Sequence, residues 1–306
     1  MLISIIFPVY NEEENLKILH DRLDSVTGSL RDYQFEFIFV DDCSSDTTPQ
    51  LLKQIHERDR RIKIIRFARN CGSHAALTAG LEIAKGNCAV VLAADLQDPP
   101  EMIEDLLKEW RNDNRIVWGV RKRRREESFL TQFFSRLYYT LMNSLTIVKM
   151  PPLGSDVFLI DRVGIEALKQ ISEKHTSLFM TVAWLGFKQT SIPYVKEPRF
   201  SGRSKWSLGK KIKLTLDSLL AFSDIPIRYM SVIGFFIAIV GFFYAIYVVW
   251  CHFHGSPLEG WSSLIVAVLV IGGIQMIMLG VLGEYLWRTF DESRKRPRFI
   301  IEYKIE

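Results

Sequence analysis

Residues 88–100 read Cys88-Ala89-Val90-Val91-Leu92-Ala93-Ala94-Asp95-Leu96-Gln97-Asp98-Pro99-Pro100. An apolar run of strand length, 88–94, gives way to two acids, an amide and a proline pair, and a helical pattern follows over 100–111. Proline suits the first turn of a helix, where its missing N–H has no partner to lose. A buried strand that ends in oxygen-bearing side chains and turns into a helix is the repeating unit of an α/β fold.

The unit recurs on both sides of this stretch. Apolar runs at 3–9, 35–40, 62–67 and 116–120 alternate with helical patterns at 13–26, 49–58 and 74–85. Near-continuous apolar strands separated by helices predict a largely parallel sheet covered on both faces. Ligands of such sheets collect at the carboxyl ends of the strands. After Arg125 the pattern changes to a long helix rich in Phe, Tyr and Leu over 129–148, broken by Pro151-Pro152. A strand at 157–160, helices at 162–171 and 178–185, and a strand at 188–196 follow. The first apolar run, 2–9, is too short for a secretory leader and reads as a buried strand.

Two other runs, Met230–Trp250 and Leu264–Trp287, carry no charge until Glu284. Each matches the roughly 20 residues a helix needs to cross a bilayer. The connection between them has no Lys or Arg, while Arg228 precedes the first run and Arg288, Arg294, Lys295, Arg296 and Arg298 follow or close the second. The positive-inside rule then predicts both termini and the α/β domain in the cytoplasm. Just before the spans, 207–222 sets Leu208, Ile212, Leu216, Leu219 and Leu220 on one helical face and Lys210, Lys211 and Lys213 on another. That pattern suits a helix lying at the membrane interface. The expected division is a catalytic domain at 1–206, an amphipathic helix at 207–228, a two-helix membrane region at 229–288 and a cytoplasmic tail at 289–306.

Net charge is +4, concentrated at Arg121–Arg125, at Lys210, Lys211 and Lys213, and at Arg294–Arg298. Such clusters suit an anionic lipid surface or a phosphate-bearing substrate; nucleic acid is not an expected partner. Cys43, Cys71, Cys88 and Cys251 show neither a C-x-x-C pair nor zinc spacing, which fits a reduced compartment.

Three strand ends carry chemistry: Pro8-Val9-Tyr10-Asn11-Glu12, Val40-Asp41-Asp42-Cys43-Ser44-Ser45-Asp46, and the 93–100 stretch. Carboxylates there can accept hydrogen bonds from a base or ribose, whereas Asp46 reads first as a cap for the next helix. Asp95 and Gln97 stand two apart, so on an extended segment their oxygens point the same way. Hard oxygen donors of this kind suit Mg2+ or Mn2+, with substrate phosphates completing the shell.

Taken together, and in order with Arg199-Phe200-Ser201-Gly202-Arg203-Ser204-Lys205-Trp206 ahead of the spans, these motifs resemble family 2 glycosyltransferases. They are most similar to the polyisoprenyl-phosphate branch, which includes bactoprenol glucosyltransferases and dolichol-phosphate mannose synthases. The resemblance implies a GT-A (Rossmann-like) domain with a mixed, mostly parallel sheet. It also implies a nucleotide-sugar pocket made by Pro8, Tyr10, Glu12, Val40, Asp42, Ala94 and Asp95, with Arg121 on a phosphate. Asp95 and Gln97 match the metal and diphosphate site, and Arg199 and Lys205 match a loop over the pyrophosphate and lipid phosphate. Asp95, Asp156 and Lys205 are the implied catalytic residues; Asp156 either acts as a base, orients the acceptor, shapes the metal site, or makes a structural hydrogen bond. Three positions depart from the pattern. Ala93 stands where many relatives have an acid, Phe158 where G-D-F-R-L has arginine, and the 70–74 stretch lacks a charged pair.

The expected activity is inverting transfer of one sugar, UDP-linked, to polyisoprenyl phosphate at the bilayer surface. A homo-oligomer packed through Gly272, Gly273 and Gly280 is expected in the membrane. The alternatives are another lipid or glycan acceptor, or a non-catalytic membrane scaffold that binds nucleotide-sugar, which Ala93 would permit.

Overall fold

The computed structural model of the chain describes residues 1–122, 155–171, 173, 174, 176–198, 200, 217, 222, 223, 225–253 and 260–306. The chain falls into two units, one of Met1–Ser218 with Pro297–Glu306 and one of Leu219–Arg296. The expected helix at 129–148, the Arg199–Trp206 loop apart from Phe200, and nearly all of the amphipathic helix at 207–222 lie outside the described residues.

Among the described residues eight strands form the sheet of the first unit: β1 (Leu2–Val9), β2 (Gln34–Asp41), β3 (Ile62–Phe67), β4 (Cys88–Val91), β5 (Ile116–Arg121), β6 (Val157–Asp161), β7 (Gln189–Tyr194) and β8 (Ile301–Ile305). Their order is β7-β5-β6-β4-β1-β2-β3-β8. Four pairings are parallel, β1 with β2, β1 with β4, β2 with β3 and β5 with β7. β6 runs antiparallel to β4 and β5, and β8 antiparallel to β3. The described helices of this unit are α1 (Leu16–Ser29), α2 (Thr48–Arg58), α3 (Ser73–Ile83), α4 (Met102–Arg111), α5 (Arg162–Lys169) and α6 (Leu178–Trp184).

The central strands are apolar without alternation because both faces are covered. Ile3, Ile5, Phe7 and Val9 join Leu16, Leu19, Leu23 and Leu106 in one core, and Phe7 stacks on Phe39 with centroids 4.9 Å apart. On the other face α3 comes so close that a Cβ at Gly80 would lie 2.3 Å from Ile6 Cγ2. Pro8 sits on β1 beyond the end of its pairing with β4, which stops at Ile6–Val91. A missing N–H there removes no bond from that ladder.

Two features differ from the sequence reading. The strand expected over 88–94 ends at Val91, because the chain turns through Ala94 and Asp95. The expected tail contains β8, whose pattern Ile301-Glu302-Tyr303-Lys304-Ile305 alternates as a half-buried edge strand should. Arg66 holds it there, pairing with Asp41 on one side and with Glu302 at 2.9 Å on the other. Phe299 stacks on Phe67 at 4.9 Å.

His74, which a catalytic reading would single out, is structural. Its Nδ1 accepts the Leu178 N–H at 3.1 Å, and its ring meets Phe179 edge-on, tying α3 to α6. Burial pushes its pKa from 6.5 down to about 4. The folded state therefore stays neutral where the unfolded chain takes up a proton, and stability is lost as pH falls from 6.5 toward 4. By pH 4.5 this single group should remove about 2–3 kcal/mol. Thermal unfolding at pH 7 and pH 4.5 checks it: acidification should lower the Tm of the wild type more than that of His74→Gln, whose amide oxygen keeps the acceptor without the titration.

The second unit holds α7 (Ile225–Phe253) and α8 (Trp261–Ser293). Within them Ile227–Cys251 and Leu264–Ser293 are long and apolar enough to cross a membrane, and neither apolar stretch is buried inside the structure. Phe235, Phe242, Phe243, Ile277 and Leu279 are all exposed. In this unit Tyr285 donates its hydroxyl to the Ser223 carbonyl at 3.1 Å, and Glu284 pairs with Arg288 at 3.1 Å, one turn away.

Candidate active site

The functional candidates gather at one end of the sheet, where β1, β2, β4, β5 and β7 finish and the antiparallel β6 begins. Asn11, Cys43 and Leu96 follow β1, β2 and β4, and all three take left-handed backbone, at φ 52, 62 and 60. Non-glycine residues seldom adopt that conformation, least of all bulky ones, and they concentrate where loops are bent for a site. The loops are stitched together. Asn11 N–H donates to Ser44 Oγ at 2.9 Å, Ser45 N–H to Asn11 Oδ1 at 2.8 Å, and Glu12 N–H to Thr48 Oγ1 at 2.9 Å.

Of the expected nucleotide residues, Pro8, Tyr10 and Glu12 are partly buried at the end of β1. Glu12 accepts the Asn15 amide at 2.5 Å. Val40 is fully buried, and its Cγ2 would lie 3.4 Å from a Cβ at Gly80, so its side chain packs under α3 and only its backbone belongs to the strand end. Asp42 accepts the N–H groups of Cys71 and Gly72 at 2.6 and 2.8 Å, which secures the start of α3. A carboxylate has further lone pairs to offer a ligand. Its neighbour Asp41 is wholly buried, accepting from Arg66 and from Ser44 N–H at 2.9 Å, and is structural. Asp46 accepts the Thr48 N–H at 3.0 Å in the first turn of α2, the capping role its position suggests.

Ala94 and Asp95 are buried after β4. The extended geometry expected for Asp95 and Gln97 is not what forms. With Leu96 left-handed, the chain turns and Asp95 Oδ1 accepts the Gln97 N–H at 3.2 Å. No group of three or more His, Cys, Asp or Glu side chains converges as a metal cage among the described residues. The donors here are a carboxylate and an amide oxygen, hard ligands that suit Mg2+ or Mn2+ sharing its shell with phosphate and water.

Arg121, at the end of β5, pairs with Asp156, just before β6. Sequence reasoning placed both residues in the site but not in contact. It missed three neighbours. Lys196 Nζ donates to Asp156 Oδ2 at 3.0 Å and lies 3.8 Å from Asp98 Oδ1. Tyr194 donates its hydroxyl to Asp98 Oδ1 at 2.7 Å, and burial together with the Asp98 charge pushes the phenol up. Among the described residues Asp98 Oδ2 is buried without a hydrogen-bond partner, a condition that usually costs about 1–3 kcal/mol or more. The one signal for this cluster was the second acid of Asp95-Leu96-Gln97-Asp98. Lys205 and Arg199 lie outside the described residues, but the segment before them is anchored: Glu197 N–H donates to the Gln97 carbonyl at 2.8 Å, and Arg22 clamps Glu197 at 2.9 Å and Glu101 at 2.7 Å.

The arrangement sets paired cations and oxygen donors at a strand end, as the handling of a phosphorylated ligand requires. The pattern that defines glycosyl transferase family 2 matches residues 4–168, which span the strands from β1 to β6. The chain is 38% identical over 306 residues to an uncharacterised glycosyltransferase, YkcC, of Bacillus subtilis (strain 168), covering 99% of this chain and 94% of that one. It is 32% identical over 303 residues to a bactoprenol glucosyl transferase of Shigella phage SfV, covering 99% and 98% of the two chains. A solved structure of the mannosyltransferase PcManGT from Pyrobaculum calidifontis, in complex with GDP-Man and Mn2+, shares 19% identity at a TM-score of 0.46, over 66% of this chain and 58% of that one. With the family pattern over more than half of its length, and relatives aligned along nearly all of it, the chain belongs to glycosyl transferase family 2 and is a glycosyltransferase of GT-A fold.

Proposed function

We propose that this transferase moves one sugar from a nucleotide-sugar, UDP-linked, to the phosphate of a polyisoprenol at the cytoplasmic face of a bacterial inner membrane. The observation that carries the reading is one chain holding both an anion-handling strand end and two helices of membrane-spanning length, Ile227–Cys251 and Leu264–Ser293. The full-length likeness to a bactoprenol glucosyl transferase supports the lipid acceptor. The hydrogen bonding of β8 to β3 supports the topology, since a chain that returns to its catalytic sheet after two helices must cross the bilayer an even number of times. Arg288, Arg294, Lys295 and Arg296 at that return then lie on the cytoplasmic side. Gly272, Gly273 and Gly280 each leave open space beside α8, which suits self-association of the spans.

In this reading the base and ribose lie against the β1 and β2 loops, with Tyr10, Glu12 and Asp42 at hand. Asp95 and Gln97 would hold Mg2+ or Mn2+, which draws negative charge off the departing diphosphate. Arg121 answers a phosphate, and Arg199 and Lys205 are assigned to the diphosphate and the acceptor phosphate. A phosphate oxygen of the lipid forms the new bond to the anomeric carbon from the face opposite the diphosphate. The bond to the diphosphate oxygen breaks, and the sugar inverts. The attacking phosphate is already ionised near neutral pH, so no proton need leave it. With Asp156 Oδ2 accepting from both Arg121 and Lys196, the side chain is better suited to orienting charge than to taking a proton.

The test presents purified protein in detergent with UDP- and GDP-sugars against polyprenyl phosphate, the unphosphorylated polyprenol and a soluble sugar, with products identified by mass. Transfer to the phosphate alone is expected, from UDP-sugar. Equal transfer to the alcohol would overturn the acceptor assignment, because Arg199 and Lys205 would have lost their anion.

A further inference from the structure

We propose that Lys196 is a positioning residue of the transfer site, holding Asp156 so that Arg121 is free to turn to the donor diphosphate; the inference rests on the nucleotide-sugar reading above. Five side chains close a ring at the sheet end. Asp98 Oδ1 accepts from the Tyr194 hydroxyl at 2.7 Å, and Tyr194 stands opposite Arg121 in the β5–β7 pairing. Arg121 pairs with Asp156 Oδ2, the same oxygen takes Lys196 Nζ at 3.0 Å, and Lys196 returns to Asp98 Oδ1 at 3.8 Å. Two cations face two carboxylates, so the ring is neutral before any ligand arrives.

The ring is graded from outside to inside. The side chains of Asp156 and Arg121 are 46% and 38% exposed, that of Lys196 is 17% exposed, and that of Asp98 is wholly buried. An incoming diphosphate meets the outer pair first. It attracts Arg121 and repels Asp156. If Arg121 turned to it with no other cation in place, Asp156 would be left as a bare carboxylate beside an anion, which is strongly unfavourable. Lys196 prevents this, because it stays bonded to Asp156 when Arg121 leaves. The ammonium itself is kept from following the phosphate by Asp98, a buried carboxylate that Tyr194 pins through Oδ1 and whose Oδ2 has no hydrogen-bond partner among the described residues. Sheet topology makes the ring possible. β5 and β7 run parallel with Arg121 opposite Tyr194, and β6 starts beside the end of β5.

The experiment measures binding of UDP and of GDP, each with Mg2+, to the full-length protein by titration calorimetry. The variants are Lys196→Met, Lys196→Arg, Asp156→Asn and the double variant Lys196→Met with Asp156→Asn. Lys196→Met should weaken binding of the preferred nucleotide roughly tenfold to a hundredfold, the scale of a lost charged hydrogen bond, because Asp156 then keeps Arg121 to itself. Lys196→Arg should stay within about threefold of wild type, which separates charge from folding. Asp156→Asn should bind at least as tightly as wild type. The double variant should recover to within about threefold of wild type, since the carboxylate that held Arg121 is gone. Unchanged binding in Lys196→Met, or a double variant as weak as Lys196→Met alone, overturns the proposal while leaving the donor reading intact. Wild-type protein that binds neither nucleotide overturns the donor reading, and the proposal with it.

Discussion

Asp95→Asn lowers sugar transfer on the order of a thousandfold or more, with the fold intact. The expected size follows from removing a preorganised group that stabilises charge on the leaving diphosphate, where single losses commonly reach a hundredfold to a thousandfold, and from weakening the ion assigned to the same carboxylate. Asparagine is nearly isosteric and keeps one oxygen, so the turn at Leu96 can still close through the bond that Asp95 Oδ1 accepts from Gln97 N–H. Thermal unfolding of the variant should therefore track the wild type. Transfer is followed by radiolabelled sugar entering the lipid phase, and chelation of the wild type should give a comparable loss that added Mg2+ or Mn2+ reverses. Full turnover in chelator, or an Asp95→Asn variant within tenfold of wild type, would remove Asp95 from the metal and diphosphate site.

Glu36→Ala has the largest expected effect on stability, and it acts at the opposite end of the sheet from the site. Glu36 Oε1 accepts Ser4 Oγ at 2.5 Å, Lys85 N–H at 2.6 Å and Gly86 N–H at 3.2 Å, and its Oε2 takes Lys63 Nζ at 2.5 Å. Burial alone would raise its pKa, but the bonds from Lys63 and Ser4 outweigh that and hold the carboxyl below its ordinary range. The carboxylate thus ties the starts of β1, β2 and β3 to the turn that leads into β4. Removing it strands a largely buried ammonium and several backbone donors, a change that costs about 3–5 kcal/mol when one member of a buried pair is deleted. The Tm should fall sharply, and Glu36→Ala with Lys63→Met should regain part of the loss. A Tm within a degree or two of wild type for Glu36→Ala would show that water replaces these contacts without penalty.

Much of the fold was legible because burial leaves a local record. The apolar runs at 3–9, 35–40 and 62–67 became β1, β2 and β3, since a strand covered on both faces has no polar position to interrupt it. The end of β4 was read three residues too long, because Leu92, Ala93 and Ala94 are apolar enough to continue a strand and nothing local announces the left-handed Leu96. β8 was read as part of a tail, although Ile301–Ile305 alternates like an edge strand. The basic residues around it weighed more heavily than five alternating positions, and its partner β3 lies more than two hundred residues earlier in the chain.

The site divides the same way. Local spacing brought out Asp95, Gln97 and Asp42 as oxygen carriers at strand ends, and the family resemblance added Arg121 and Asp156. It could not tell that Asp41 is occupied by Arg66, that Asp42 secures the start of α3, or that Val40 points under that helix. Those outcomes depend on which neighbour the folded chain delivers. By itself the sequence determined the alternation of strands and helices, the polar strand ends and the two long apolar helices, because each is a periodicity or a composition carried by contiguous residues. Only the tertiary structure decided the antiparallel entries of β6 and β8, the buried Glu36 hub and the ring of Asp98, Tyr194, Arg121, Asp156 and Lys196. Tyr194 and Asp98 stand 96 residues apart, and what joins them is the pairing of β5 with β7, a long-range choice among strands that no local pattern encodes.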